Sequence, residues 1–62
     1  MNITDKQKAM LEEHNVAISE EIRDVLLDLD AKITEIGFDA DYELNDIGLK
    51  LQKLYDQLYD QN

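Results

Sequence analysis

The chain reads as an all-α protein: an antiparallel helical hairpin that dimerises into a four-helix bundle. Three observations predict this. Apolar residues recur in steps of four and three along two segments, first Ile22, Leu26, Leu29, Ile33 and Ile36, then Leu44, Ile47, Leu51, Leu54 and Leu58. Such spacing puts one apolar stripe on each of two helices. No proline occurs anywhere, and Gly37, one of only two glycines, falls between the two stripes. No segment alternates apolar and polar residues over the length that a half-buried strand needs.

The first helix is expected to start after Thr4, because Thr4-Asp5-Lys6-Gln7 has the capping-box spacing, a hydroxyl at the N-cap and a glutamine three residues on. Nothing from there to Ile36 carries a proline or glycine, so a helix over about 5–36 is expected. The alternative breaks it at His14-Asn15, leaving a short N-terminal helix, with Ser19-Glu20-Glu21 ahead of Ile22 as a second start. Gly37 is the expected stop, a left-handed C′ residue in a Schellman turn closed by Ile33 against Phe38. The turn then covers 37–39. Asp39 caps a second helix over about 40–60, with Asp41 and Glu43 in its first turn, where the helix dipole favours negative charge. A loop this short forces the two helices antiparallel. At about 1.5 Å per residue the helices would measure about 48 and 30 Å. The first ten or so residues overhang unless they fold over or meet another chain.

Residues 1–62 make one domain. A chain of this length buries only about 60% of the surface its unfolded form exposes, and small domains usually add a disulfide, a metal or a partner subunit. With no cysteine and a single histidine, the partner is the expected remedy. The apolar residues point the same way. Val25, Leu26 and Leu27 are consecutive, so at least one faces away from the intramolecular seam. Tyr55 and Tyr59 stand i, i+4 beside the Leu51/Leu58 stripe, and Leu49 lies opposite it. A symmetric dimer is expected to bury Val25, Leu27, Leu51 and Leu58. This architecture resembles that of the small plasmid RNA-binding regulators of the Rop type. The resemblance is architectural: an RNA face needs basic residues, and the exposed faces here are acidic.

The formal charge of −9 excludes phosphate-backbone binding to nucleic acid and docking on an anionic membrane, both of which need an excess of Lys and Arg. Residues 18–46 hold ten acids against Arg23 and Lys32. Glu21, Asp24, Asp28 and Glu35 fall on one outer face, and Asp39, Asp41, Glu43 and Asp46 gather near the bend. A solvated face and helix caps account for part of this excess. An acidic patch built to meet a basic surface accounts for the rest, since like charges at i, i+4 cost about 0.2–0.5 kcal/mol per pair.

No catalytic constellation, phosphate loop or metal motif is present. The alternation of Asp39, Asp41 and Glu43 fails as a calcium loop, because its sixth and twelfth positions are Leu44 and Lys50 rather than Gly and Glu. His14 lacks the glutamate three residues earlier that a helical metal site uses, Leu11 standing there; it reads as a solvent-facing helix residue. Small helical sporulation phosphatases carry Ser-Gln-Glu-Leu-Asp on their second helix, where this chain has Gly48-Leu49-Lys50-Leu51-Gln52. No cofactor is expected.

The function expected is therefore non-enzymatic: an acidic helical module that docks on a basic protein and modulates or inhibits it, as phage- or plasmid-type inhibitors, antitoxins and DNA mimics do. Its contact residues would be Glu21, Asp24, Asp28, Glu35, Asp39, Asp41 and Glu43, with Tyr55 and Tyr59 as aromatic anchors. The alternative is a structural self-assembling dimer with no inhibitory role. Met1-Asn2-Ile3-Thr4-Asp5 has neither a basic start nor an apolar run, and no apolar run approaches transmembrane length, so a cytoplasmic protein is expected.

Overall fold

The computed structural model describes residues 1–62. The chain is all-helical, with three helices and no strand: α1 (Asp5–Glu13), α2 (Ile22–Ile36) and α3 (Asp46–Gln61). No helix is long and apolar enough to cross a membrane.

α1 begins as its sequence predicts. Thr4 Oγ1 accepts from Gln7 N at 3.1 Å, and Gln7 Oε1 accepts from Thr4 N at 3.0 Å, a complete capping box. The helix does not continue to Ile36. Asn15 adopts φ 59°, and two bonds close the end: Asn15 N to Glu12 O at 3.1 Å and Val16 N to Leu11 O at 2.8 Å. With His14 as C-cap, this is the pair of bonds that defines a Schellman turn. Leu11 and Val16, the C3 and C″ residues, are both buried and make its apolar contact. The Schellman turn thus forms at Asn15 and not at Gly37. Asparagine is one of the few residues besides glycine that enters the left-handed region readily. The driving force is burial: an unbroken helix over 5–36 would measure about 48 Å, whereas the molecule is 35 Å in its longest dimension. The break folds the overhanging residues back so that Leu11 and Val16 join the core.

The second correction concerns the bend. Gly37 has φ −89°, in the right-handed region, and is followed by a nine-residue connection, 37–45, rather than a turn over 37–39. Phe38 and Leu44 form an isolated antiparallel bridge. Asp39 does not cap a helix. Its Oδ1 accepts from the backbone N–H groups of Asp41 at 2.9 Å and Glu43 at 3.2 Å, organising the loop tip, where Tyr42 sits at φ 61°. The N-cap of α3 is Asn45, whose Oδ1 accepts from Gly48 N at 2.7 Å, so α3 starts at Asp46 and not at Ala40.

α2 and α3 lie side by side in opposite directions, with Gly37 against Gly48 at one end and Ile22 near Asn62 at the other. The closeness of the glycines is a packing requirement. A Cβ on Gly48 would overlap the carbonyl of Gly37, and one on Gly37 would lie 3.0 Å from the Cα of Gly48. The core is Val25, Leu29 and Ile33 from α2 with Leu51, Leu54 and Leu58 from α3, closed by Leu11 and Val16. The stripe on α2 is thus centred on Val25, Leu29 and Ile33, while Ile22, Leu26 and Ile36 are only partly buried at its margins. α1 closes one side of the α2–α3 pair. Buried Gln7 anchors it there, donating through Nε2 to Gln61 Oε1 at 2.8 Å while its own Oε1 accepts from Gln61 Nε2 at 3.0 Å. Asn2 adds bonds to Gln61 and Asn62.

Candidate functional surface

Because α1 covers one side of the α2–α3 pair, the other side is open. There an apolar trough runs between the two helices, lined by Ile22, Leu26 and Leu27 of α2 and by Tyr55 and Tyr59 of α3, with Arg23 and Asn62 at its end. Helical geometry explains it. Successive residues turn by about 100°, so Val25 points into the core, Leu26 lies on its margin and Leu27 points out. Leu27 is 62% exposed and Tyr59 67%, while Tyr55 and Leu26 are half-buried. Half-buried Ile22, Leu26 and Tyr55 form the floor, and the exposed Leu27 and Tyr59 stand on the rim.

The expected dimer face is only partly available. Val25, Leu51 and Leu58 are fully buried in the core of a single chain, so they cannot also meet a second chain. The reason is the fold-back of residues 1–16, which supplies Leu11 and Val16 to the same core. Of the four, only Leu27 is exposed. Four trough residues, Ile22, Arg23, Leu26 and Asn62, were not among the expected contacts. For the three on α2 the signal was present in the overlap of two i, i+4 pairs, Ile22/Leu26 and Arg23/Leu27, on one side of the helix; Asn62, the C-cap of α3, carried none.

The expected contact residues divide between three places. Tyr55 and Tyr59 line the trough. Glu21, Asp24, Asp28 and Glu35 are all exposed; Asp24, Asp28 and Glu35 form a ridge on the opposite flank of α2, about 140° round the helix axis from the trough side, and Glu21 stands at its extended N-cap. Asp39, Asp41 and Glu43 lie in the connection at the far end, exposed beside Tyr42, which is 88% exposed. The fold brings the ridge together as one line but does not unite it with the tyrosines.

The ridge is almost unneutralised. The only ion pair in the molecule joins Lys32 Nζ to Glu35 Oε2 at 3.5 Å. Three of the remaining cations, Lys6, Lys50 and Lys53, line a cleft between α1 and α3 together with Thr4, Gln7 and Gln57. α2 and the 37–45 connection hold seven carboxylates against Arg23 and Lys32, whereas α1 and α3 together hold six carboxylates and four lysines. No three His, Asp or Glu side chains converge as metal ligands would. His14 is the half-buried C-cap of α1 rather than an outward helix residue. Comparison of the chain with protein-family models, with curated proteins and with solved structures found no match to any of them.

Proposed function

We propose that the protein is a non-enzymatic binding module that presents the acidic flank of α2 to a basic protein surface and modulates or inhibits its partner. One observation carries this: Asp24, Asp28 and Glu35 form an exposed line on α2, with Glu21 exposed at its N-cap and one lysine to oppose them. Opposite charge on a partner speeds encounter and fixes orientation. The test is capture of proteins from the source organism's lysate on the immobilised chain, at low and high salt. The comparison is a variant carrying Glu21→Gln, Asp24→Asn, Asp28→Asn and Glu35→Gln. Basic proteins held by the native chain should be released by salt and ignored by the variant. Recovery of the same proteins by both chains at both salt concentrations would refute the proposal.

A second observation favours self-association alongside this activity. The trough is an apolar surface on the side of α2 away from the ridge, and a second copy seated there would complete a four-helix arrangement from α2 and α3 of each chain. Self-association predicts a melting temperature that rises with protein concentration; a concentration-independent melt together with a monomer mass in sedimentation would rule it out.

A further inference from the structure

We infer that the trough is a self-complementary surface on which α2 of one copy packs antiparallel against α2 of a second, the register set by Arg23 of each chain pairing with Asp30 of the other. The inference rests on the self-association reading and adds to it a face, a direction and a register. Three observations lead to it.

The first is the order of residues on the trough side of α2. Arg23, Leu26, Leu27 and Asp30 share one side of the helix, a cation at one end, an anion at the other and two leucines between. In an isologous contact, residue i of one chain meets residue j of the other, and j meets i. Turning this stretch end for end about a point between Leu26 and Leu27 places leucine on leucine, Arg23 on Asp30 and Asp30 on Arg23. The pattern is its own partner.

The second is that neither charge is used within the chain. Both side chains are exposed, and the molecule's one ion pair involves neither. Seven residues apart on one helix, they are separated by about 10.5 Å along the axis, too far for Arg23 to satisfy Asp30 of its own chain. Across a two-fold axis, each would have its opposite charge facing it at the edge of the Leu26/Leu27 contact.

The third concerns why two chains of charge −9 could meet at all. The acidic ridge lies on the opposite flank of α2. Two copies meeting at the trough keep their ridges on the outside of the pair, and screening limits repulsion between exposed charges to about 8 Å at physiological salt. Arg23 lines the trough and Asp30 lies just beyond it on the same side of α2, so local complementarity of these two charges opposes the long-range repulsion. The ridge also stays free in the pair, so this association and the proposed partner binding are compatible.

The experiment is sedimentation equilibrium of the full chain from low micromolar to submillimolar concentration, with circular dichroism to confirm that each variant is folded. The variants are Arg23→Asp, Asp30→Arg, the two combined, and Leu27→Ser; all three positions are exposed, so the monomer fold should survive. Each single charge reversal turns two attractive contacts into two repulsive ones and should weaken the dimer about tenfold or more, some 1.4 kcal/mol. The double reversal should return the dissociation constant to within about threefold of the native value, the signature of direct coupling. Leu27→Ser should weaken the dimer regardless of charge. A native chain that stays monomeric throughout would refute self-association itself. A native dimer weakened by Leu27→Ser but not rescued by the double reversal would overturn the register alone. A dimer indifferent to Leu27→Ser would place the contact on another face and overturn the inference.

Discussion

Single polar side chains fix where the helices stop and start, and Asn45 is the most heavily used. Its Oδ1 accepts from Gly48 N at 2.7 Å, its Nδ2 donates to the Ile36 carbonyl at 2.9 Å, and its backbone N donates to the Gly37 carbonyl at 2.8 Å. One residue thus satisfies the carbonyls of the last residue of α2 and of its C-cap, and one free amide in the first turn of α3. Asn45→Ala removes both side-chain bonds and should cost about 2 kcal/mol, the sum of a lost cap and a lost hydrogen bond. Asn45→Asp keeps the acceptor and loses only the donor, so its cost should be about half that. Chemical denaturation of the two variants checks the order; if Asn45→Asp matches the native chain, the bond to Ile36 contributes nothing and Asn45 is a cap only. The capping box at Thr4 was legible in the sequence because both partners lie within four residues of each other. Asn45 was not legible. Asp39 offers the same side-chain acceptor, and the signatures of a loop turn and a helix N-cap are alike until something else decides between them.

What decides between them is the packing of α2 on α3, and the deciding contact is between the two glycines. In isolation, Gly48 inside a helix is a defect, and replacing it with alanine should gain about 1 kcal/mol. In this fold the sign reverses, because the added Cβ would meet the Gly37 carbonyl, which is backbone and cannot swing aside. Gly48→Ala should therefore destabilise by about 1–3 kcal/mol. A stabilised Gly48→Ala variant in urea denaturation would show that the close approach of α2 and α3 is dispensable. The same contact explains why the turn was misplaced from sequence. Gly37 announced a left-handed helix end, but its service is to have no side chain where Gly48 arrives, and the left-handed end falls to Asn15. The helical stripes themselves were readable, since the spacing within α2 and α3 is local. The break between α1 and α2 depends on Leu11 and Val16 finding the core, a long-range gain that local signals around His14-Asn15 only permit. The trough was half legible for a related reason: Leu27, Tyr55 and Tyr59 stood out as surplus apolar residues, whereas Ile22 and Leu26 were assigned to a seam that Val25 in fact occupies.

For the whole molecule, the balance is between a small core and a large uncompensated charge. Eight apolar residues form the buried core of a 62-residue chain, and a domain of this size rarely has more than about 3–5 kcal/mol in hand. Against it stands a net charge of −9 relieved by one ion pair. Part of the repulsion is local: Asp24 and Asp28 are spaced i, i+4 on α2 with Glu21 just ahead of them at the N-cap, and a like-charge i, i+4 pair costs about 0.2–0.5 kcal/mol. A ridge of this kind persists at the expense of stability, which is what a surface kept for a partner would look like. The consequence is a molecule stabilised by ionic strength. Added salt screens exposed like charges, while the buried apolar core and the hydrogen bonds among Asn2, Gln7, Gln61 and Asn62 carry no net charge to be screened. Relief of about 1 kcal/mol would raise the melting temperature of a domain this small by about 4–8 °C. Thermal melts in low and in moderate sodium chloride test this, at a protein concentration where sedimentation shows a monomer in both salts, so that self-association does not contribute. The four-residue neutralised variant of the ridge supplies the control: it should melt higher than the native chain at low salt and gain less from added salt. If the native melt falls as salt is added, attraction between the α2 carboxylates and the lysines of the α1–α3 side outweighs the ridge repulsion, and the ridge is then part of what holds the fold together rather than a load that it carries.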